Sequence, residues 1–344
     1  MLSSSSNFHH SVNVNHTQPM SFPLFHRPGA IVFLDDDPAY LEMLAMVLPR
    51  QWNVKLYLRP QTCINHLQQE PPQWEADAWA QQEMIEHWRA GSPLIPQILR
   101  YWATHNDRFG LTRVCVFDYA MPGMDGLQAL GELTDWHGGR ILLTGQADEH
   151  VAVSAFNRGL IDQFIAKQTP DISQHLVSVV QRMLTQPQVR HSQIWRSALT
   201  QPQHALLQVP SVSRQLASLA SSHWVEHVVI GQPFGILGMD ADGRVSWLQL
   251  ESAAGLADLA ELAESQGLKT AAADDIRSGR TLVDLELQQA LGQTGPARLI
   301  PAFSIGHEGT LLAALFPVEL AASPPGLTGY NHWLKKHGQR TVQD

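Results

Sequence analysis

Five polar side chains follow short apolar runs of the sequence, each at the point where a β-strand would end. Asp118 follows the run at 114–117, Asp35 and Asp36 follow 31–34, Thr144 follows 141–143, and Lys167 follows 164–166. The carboxyl ends of parallel strands lie at one edge of a sheet, and open α/β sheets place their ligands there. We therefore expect these side chains to share one pocket.

The three carboxylates of this set indicate a cation site. If the first strand is central in the sheet, Asp35 and Asp36 lie beside Asp118. Like charges a few ångströms apart raise each other's pKa or require a cation. Ligand sets made only of oxygen suit Mg²⁺, which binds through carboxylates, water and a phosphate. The acidic cluster therefore predicts a magnesium site.

Thr144 and Lys167 add the groups that a phosphoryl unit on Asp118 would need. The hydroxyl can donate to one phosphoryl oxygen, and the ammonium can neutralise another. Positioning and charge neutralisation are nearly all that a protein must provide in phosphoryl transfer. In this interpretation Asp118 is the nucleophile.

The elements that must position these residues follow an alternating pattern between 29 and 185. Strands are predicted at 31–34, 54–58, 114–117, 141–143 and 163–166. Helices are predicted at 38–48, 60–69, 127–136 and 149–157, and in a last stripe formed by Ile172, Leu176, Val180 and Leu184. Short strands that alternate with amphipathic helices are typical of a parallel sheet covered on both faces. The fold class is therefore α/β, with a doubly wound five-stranded parallel sheet.

This segment resembles the receiver domain of bacterial two-component response regulators, which has a flavodoxin-like fold. The resemblance rests on Leu34-Asp35-Asp36-Asp37-Pro38, Asp118-Tyr119-Ala120-Met121-Pro122-Gly123-Met124-Asp125-Gly126, Leu143-Thr144-Gly145 and Lys167, in that order. It implies that Asp118 accepts a phosphoryl group from the phosphohistidine of a sensor histidine kinase or phosphotransfer protein. It also implies a response regulator that passes the signal to a downstream protein target.

The resemblance further assigns a metal-ligand set and a switch pair. The implied Mg²⁺ ligands are Asp35, Asp36, Asp118 and the backbone carbonyl of Ala120. Phe164 occupies the position of the aromatic side chain that changes rotamer when Thr144 moves toward the phosphoryl group. Two features depart from the family. Gln168 stands where receivers usually have proline, and residues 70–112 form a long insertion.

The insertion is predicted to contain two helices, at 75–89 and 93–104, with four of the ten tryptophans of the chain. An aromatic helical pair could form a docking or dimer surface, so a homodimer is one possibility. The favoured interpretation is that the pair packs onto its own domain.

The second half of the chain carries fewer functional signals. We expect a helical linker at 186–228, a smaller α+β output or interaction domain with an antiparallel sheet at 229–320, and a tail at 321–344. Hairpins are predicted at 234–250 and 298–318, with helices at 252–266 and from a Thr281/Asp284 cap to about 292. The first hairpin is weakly similar to the opening of PAS-like sensor domains. Residues 1–28 are predicted to be a disordered tail, and translation could begin at Met1 or Met20.

Composition excludes several classes of function. The 344 residues carry a net charge of −9, and neither half has the basic excess that direct DNA binding requires. No apolar run approaches the ~18 residues of a membrane helix, so we expect a cytoplasmic protein. Two cysteines are too few for a disulfide framework. His223 and His227 have the spacing of a helical metal pair but lack a third ligand, so we expect surface or core histidines.

Three functions remain open from the sequence. The first is a phosphorylation-controlled switch that is not an enzyme beyond its own phosphoryl transfer and dephosphorylation. The second is a pseudo-receiver scaffold that binds metal or a partner without turnover. The third is a receiver that controls an unrecognised enzyme in the second half. The signal, the cognate kinase and the downstream target are not encoded in any recognisable pattern.

Overall fold

Two six-stranded sheets, one parallel and one antiparallel, organise the chain. The computed structural model describes residues 21–145, 149–319 and 327–344. Numbered in chain order, the strands are β1 (Phe25–His26), β2 (Ala30–Leu34), β3 (Asn53–Tyr57), β4 (Thr112–Asp118), β5 (Gly139–Thr144), β6 (Gln163–Ala166), β7 (Glu226–Gly231), β8 (Phe234–Met239), β9 (Val245–Glu251), β10 (Thr281–Val283), β11 (Leu299–Pro301), β12 (Phe303–Ile305), β13 (Leu311–Pro317) and β14 (Val342–Gln343).

The helices are numbered in the same way: α1 (Pro38–Val47), α2 (Pro60–Gln68), α3 (Pro71–Arg89), α4 (Leu94–Thr104), α5 (Gly126–Gly131), α6 (Glu149–Asn157), α7 (Ile172–Thr185), α8 (Val189–Arg196), α9 (Gln201–Gln208), α10 (Pro210–His223), α11 (Leu256–Ser265), α12 (Thr270–Arg277), α13 (Leu285–Leu291) and α14 (Tyr330–His337). Short 3-10 helices lie at Asn106–Gly110 and His307–Gly309.

The parallel sheet has the order β14-β3-β2-β4-β5-β6. Its five predicted strands are present in the doubly wound arrangement, so the predicted fold class is confirmed. Every residue of β2 and β4 is buried, because helices cover both faces of the sheet. Helices α1 and α7 pack on one face, and α2, α5 and α6 pack on the other.

Both predicted tails are wrong where the structure describes them. Residues 25–26 form β1 and pair with β7 of the antiparallel sheet, because Phe25 is buried in its core. Residues 342–343 form β14, which pairs with β3 as a sixth strand of the parallel sheet. The predictions for residues 1–20 and 320–326 lie outside the described residues.

The antiparallel sheet has the order β1-β7-β8-β9-β13-β12. The predicted hairpin at 234–250 occurs as β8 and β9. The predicted strand at 298–305 is divided, since β11 pairs with β10 whereas β12 pairs with β13. Thr281 was expected to cap a helix, but it begins β10, and the helix starts only after Asp284.

The inserted helices contribute to the core of the antiparallel half. Ile85, Ile98 and Trp102 belong to the same buried cluster as Val229 and Leu237 of the antiparallel sheet. The favoured prediction, that the insertion packs onto its own domain, is therefore wrong. Helices α8, α9 and α10 fill the predicted linker, and their apolar sides lie in the same cluster. Within the ranges given above, no helix is long and apolar enough to cross a lipid bilayer.

Candidate functional site

Asp118 is the last residue of β4, at the carboxyl edge of the parallel sheet, and it is 4% exposed. Asp118 is in register with Leu143 of β5. The loop after Asp118 folds back toward the end of β4. The amide of Gly126 donates to the Tyr119 carbonyl at 3.0 Å. A Cβ on Gly126 would lie 2.2 Å from the Asp118 carbonyl oxygen, so only glycine permits this return.

The three predicted carboxylates converge at this edge. Asp35 follows β2, Asp36 is its neighbour, and each contributes an oxygen within 4.8 Å of an Asp118 oxygen. Asp35 is 1% exposed, whereas Asp36 faces solvent. The amide of Asp37 donates to Asp35 Oδ1 at 3.0 Å, and Asp37 caps α1 with its own side chain. Asp37 therefore orients the Asp35 carboxylate through its backbone amide and caps the start of α1 through its side chain.

Lys167 joins the cluster from the opposite side. Its Nζ lies 2.8 Å from Asp35 Oδ2 and 2.8 Å from Asp118 Oδ1. The amide of Lys167 donates to the Thr144 carbonyl at 2.8 Å, which holds the lysine at the end of β6. This position is reached with Gln168 in place of the proline that receivers usually carry.

Burial and charge shift the pKa values in this pocket. Burial raises the pKa of Asp35, although Lys167 and the Asp37 amide oppose the shift. Burial also disfavours the charged form of Lys167, but hydrogen bonds with Asp118 and Asp35 outweigh it and raise the pKa of this lysine. The ammonium therefore stays charged and compensates part of the negative charge.

Thr144 ends β5, one residue beyond the partner of Asp118 in the sheet. It is fully buried, and its Oγ1 has no hydrogen-bond partner in the part of the chain that the structure describes. An unpaired buried hydroxyl is costly and can donate to an acceptor that enters the pocket. Phe164 lies on β6 with a side chain 36% exposed. Ala120 is exposed in the loop after Asp118.

Sequence reasoning missed Tyr40. Its ring centroid lies 4.8 Å from Lys167 Nζ, and burial raises the pKa of its phenol to about 12. Its hydroxyl is also buried without a partner among the described residues. In the sequence, nothing distinguishes Tyr40 from the other residues of α1. Only the packing of α1 on the sheet brings its ring close to Lys167.

The two histidines with metal-like spacing do not form a pair. His223 is the last residue of α10 and is exposed, whereas His227 is buried in β7. The change from helix to strand between them removes the common face that a metal pair needs.

Comparison with known proteins supports the fold. No protein-family model matches the sequence, and no curated protein matches it. The structure of the Legionella pneumophila response regulator LqsR is similar, with a TM-score of 0.69 and 22% identity, over 92% of this chain and 97% of that one. The predicted receiver domain is thus confirmed as a fold, and the likeness extends into the antiparallel half.

Two further solved structures match less than half of this chain. One is a response regulator receiver domain protein from Clostridium thermocellum, at 18% identity and a TM-score of 0.29, over 45% of this chain and 94% of that chain. The other is an adenylate cyclase from Rhodopirellula baltica, at 16% identity and a TM-score of 0.30, over 48% and 92%.

Proposed function

We propose that this protein is a response regulator of a two-component phosphorelay. In this proposal Asp118 accepts a phosphoryl group from a histidine kinase or phosphotransfer protein in the cytoplasm. The second half of the chain then changes a contact with a downstream protein. The observation that carries the proposal is the position of Lys167 Nζ, which contacts both Asp118 and Asp35 at 2.8 Å.

The chemistry requires little beyond this geometry. An Asp118 oxygen attacks phosphorus, a P–O bond forms, the P–N bond of the phosphohistidine breaks, and the imidazole nitrogen keeps the electron pair. In this proposal Lys167 and the Thr144 hydroxyl bind oxygens of the transferred group, which carries more negative charge than the carboxylate alone. Asp118 itself requires no base, because a carboxylate is already the nucleophilic form.

The donor set fits magnesium. Asp35, Asp36 and Asp118 offer only oxygen atoms, within 4.8 Å of one another, and the Ala120 carbonyl is close in sequence. Mg²⁺ prefers such hard ligands and keeps several waters. When bound, the ion would neutralise charge on the phosphoryl oxygens. The ion would also offset the negative charge of the three carboxylates, which the single ammonium of Lys167 balances only in part.

The switch is proposed to act through Thr144 and Phe164. When the Thr144 hydroxyl is drawn to a phosphoryl oxygen, the space beside β6 changes and Phe164 can turn inward. Apolar side chains of α6, including Val153 and Phe156, are exposed as well. A shift of about 1–3 kcal/mol between two packings would be enough to control a protein contact.

A phosphorylation assay tests the proposal. With acetyl phosphate and Mg²⁺, intact-mass spectrometry should show one added PO₃ group on the wild type and none on Asp118→Asn. Asp107→Asn is the matched control, because Asp107 is exposed in the 3-10 helix that precedes β4, whereas Asp118 is at the other end of this strand. Label on Asp118→Asn, or none on the wild type with any donor, contradicts the assignment.

The pseudo-receiver alternative is separated by a second measurement. Beryllofluoride with Mg²⁺ mimics the phosphorylated aspartate without group transfer. A working site should change hydrogen exchange in α6 and β6, whereas a pocket that only binds metal should respond to Mg²⁺ alone and not to the added beryllofluoride. Gln168→Pro provides a comparison for the departure from the receiver pattern that lies next to Lys167.

A further inference from the structure

Lys167, which joins the acidic cluster, also lies against an aromatic ring. The ring of Tyr40, in the first turn of α1, has its centroid 4.8 Å from Lys167 Nζ. An ammonium within about 6 Å of a ring centroid is attracted by the negative face of the ring, and the attraction is stronger where water is partly excluded. The side chain of Lys167 is 28% exposed and Tyr40 is half-buried, so the contact lies in such a place.

The residues before Tyr40 hold this ring in place. Asp37 caps α1, and its Oδ1 accepts a hydrogen bond from the Tyr40 amide at 3.3 Å. Pro38 occupies the first helical position, where its fixed φ suits the helix. The amide of Asp37 donates to Asp35 at 3.0 Å. One short run of the chain therefore holds both a carboxylate of the cluster and the ring.

The hydroxyl of Tyr40 is buried without a hydrogen-bond partner among the described residues. Buried hydroxyls are normally paired, since an unpaired one costs free energy. A hydrogen bond of the phenol to the protein therefore does not explain the tyrosine, and two roles remain for its ring. The ring packs beside the buried cluster that contains Leu41 and Leu44, and it contacts the ammonium of Lys167.

The carboxylate contacts of Lys167 change during the proposed reaction, whereas the ring contact does not. Nζ has three N–H donors and lies 2.8 Å from both Asp35 Oδ2 and Asp118 Oδ1. When Asp118 becomes an acyl phosphate, the ammonium loses one of its two carboxylate partners and must bind the phosphoryl group instead. The Tyr40 ring is not altered by the reaction, so its attraction for the ammonium is the same before and after transfer.

We propose that Tyr40 is a positioning residue, whose ring holds the Lys167 ammonium at Asp118 while the phosphoryl group is transferred. This inference rests on the proposed phosphorelay function and adds a residue that the motifs of the site did not indicate. Lysine has a flexible four-carbon stem, and a charged group stabilises a transition state best when it needs no reorganisation as charge develops. The ring limits the movement of the ammonium when the Asp118 carboxylate is consumed.

The experiment measures the rate constant of phosphoryl transfer from acetyl phosphate with Mg²⁺, by intact-mass spectrometry of the full chain. An Asp118 oxygen forms the new P–O bond, and acetate leaves with the electron pair of the P–O bond that breaks. Tyr40→Leu removes the ring, and we expect transfer to be slower by about three- to tenfold, the range of a partly dehydrated cation–π contact. Tyr40→Phe loses only the unpaired hydroxyl, so its rate should stay within about twofold of the wild type.

Met43→Ala is the matched control for packing. Met43 packs against the same buried cluster as Tyr40 but lies almost one turn further along α1. This variant should lower the midpoint of urea unfolding, as Tyr40→Leu does, but it should leave the transfer rate unchanged. Equal slowing by Met43→Ala and Tyr40→Leu would assign the effect to packing, and a Tyr40→Phe rate as low as that of Tyr40→Leu would assign it to the hydroxyl. Either result overturns the proposal.

A double-mutant cycle shows whether Tyr40 acts through Lys167. In a Lys167→Met background the ammonium is absent, so Tyr40→Leu should slow transfer by less than about twofold there. If Lys167→Met takes up no label, the dissociation constants of beryllofluoride in the presence of Mg²⁺ replace the rate constants in the cycle. The same fold-change for Tyr40→Leu in both backgrounds contradicts the proposal, because the ring would then act independently of the lysine.

Failure of this inference is distinct from failure of the phosphorelay proposal. A wild type that takes up the phosphoryl group at a rate that Tyr40→Leu does not change overturns the role of Tyr40 alone. A wild type that takes up none with any donor overturns the phosphorelay proposal, and the role of Tyr40 falls with it.

Discussion

Buried polar side chains tie together segments that are distant in this sequence. The guanidinium of Arg27 donates to both oxygens of Asp77, at 2.7 and 2.9 Å, and His191 Nε2 lies 2.7 Å from the same carboxylate. Burial alone would raise the pKa of Asp77, but the charge of Arg27 and the hydrogen bonds with His191 and Arg27 hold it far below its usual value. The N-terminal segment, the insertion and α8 are therefore joined at one carboxylate.

His227 should make the stability of the protein depend on pH. Burial lowers its pKa from 6.5 to about 4, so the unfolded chain binds a proton in this window that the folded chain does not. Stability should therefore fall as pH decreases from about 6.5 toward 4, by up to roughly 3 kcal/mol. The free energies of unfolding in urea at about pH 5 and about pH 7.5 measure this loss of stability.

The matched variants for this prediction are His227→Leu and His332→Leu. The first should reduce the pH dependence of the free energy of unfolding, because the buried titrating group is gone. The second should not, since His332 is exposed. His26 and His191 also have lowered pKa values and will retain a part of the dependence. Identical pH profiles for the wild type and His227→Leu would contradict the assignment.

At the scale of elements, the C-terminal segment connects the two sheets. The amide of Asn331, at the start of α14, donates to the Ala241 carbonyl in the turn between β8 and β9. Trp333 of α14 packs edge-on against Phe109, which precedes β4. Strand β14 then pairs with β3, and the Leu58 amide donates to the Gln343 carbonyl at 3.0 Å. The segment crosses from one half of the molecule to the other.

Arg340 should hold the C-terminal segment, α14 and β14, against the half of the chain that contains the parallel sheet. Its guanidinium donates to the carbonyls of Ala45 and Leu48, at 2.9 Å each, and to those of Pro49 and Trp52. These carbonyls belong to the last turn of α1 or to the residues that follow it, and carbonyls at the end of a helix have no donor within the helix. Arg340→Met should lower the free energy of unfolding by about 1–3 kcal/mol. Lys336→Met, at an exposed position of α14, should have little effect in the same urea titration.

At the scale of the whole molecule, the insertion makes the two halves interdependent. The guanidinium of Arg108, which follows α4, donates to Glu226 of β7 at 2.7 Å, and both side chains are almost fully buried. The apolar sides of α3 and α4 lie in the same core as the antiparallel sheet. The insertion enters the chain within the parallel half but completes the core of the other half.

An isolated receiver segment should therefore be poorly folded. Residues 29–185 alone would expose Ile85, Ile98 and Trp102, which are buried against the antiparallel half in the full chain. We expect this fragment to bind a hydrophobic dye and to be cleaved rapidly within the insertion, whereas the full chain should resist the protease. A fragment in which a short loop replaces residues 71–111 is the control, and it should bind less of the hydrophobic dye. Equal protection of the fragment and the full chain would show that the insertion folds without its partner.

The sequence determined the parts of this protein that depend on local order. Strand ends, helix caps and the spacing of Asp35, Asp118, Thr144 and Lys167 follow from alternation and from the rules of parallel sheets, and the acidic cluster assembled as expected. Tyr40 is a neighbour of Lys167 that no local pattern indicated.

Only the tertiary structure decided how distant segments combine. Strands β1 and β14 are too short to carry a pattern of their own, and each exists because a longer strand offers unpaired backbone groups. The sequence predicts that α3 and α4 have an apolar face, but it does not predict the surface that covers this face. The hydrophobic effect is non-directional, so it favours burial of an apolar face without selecting the surface that buries it.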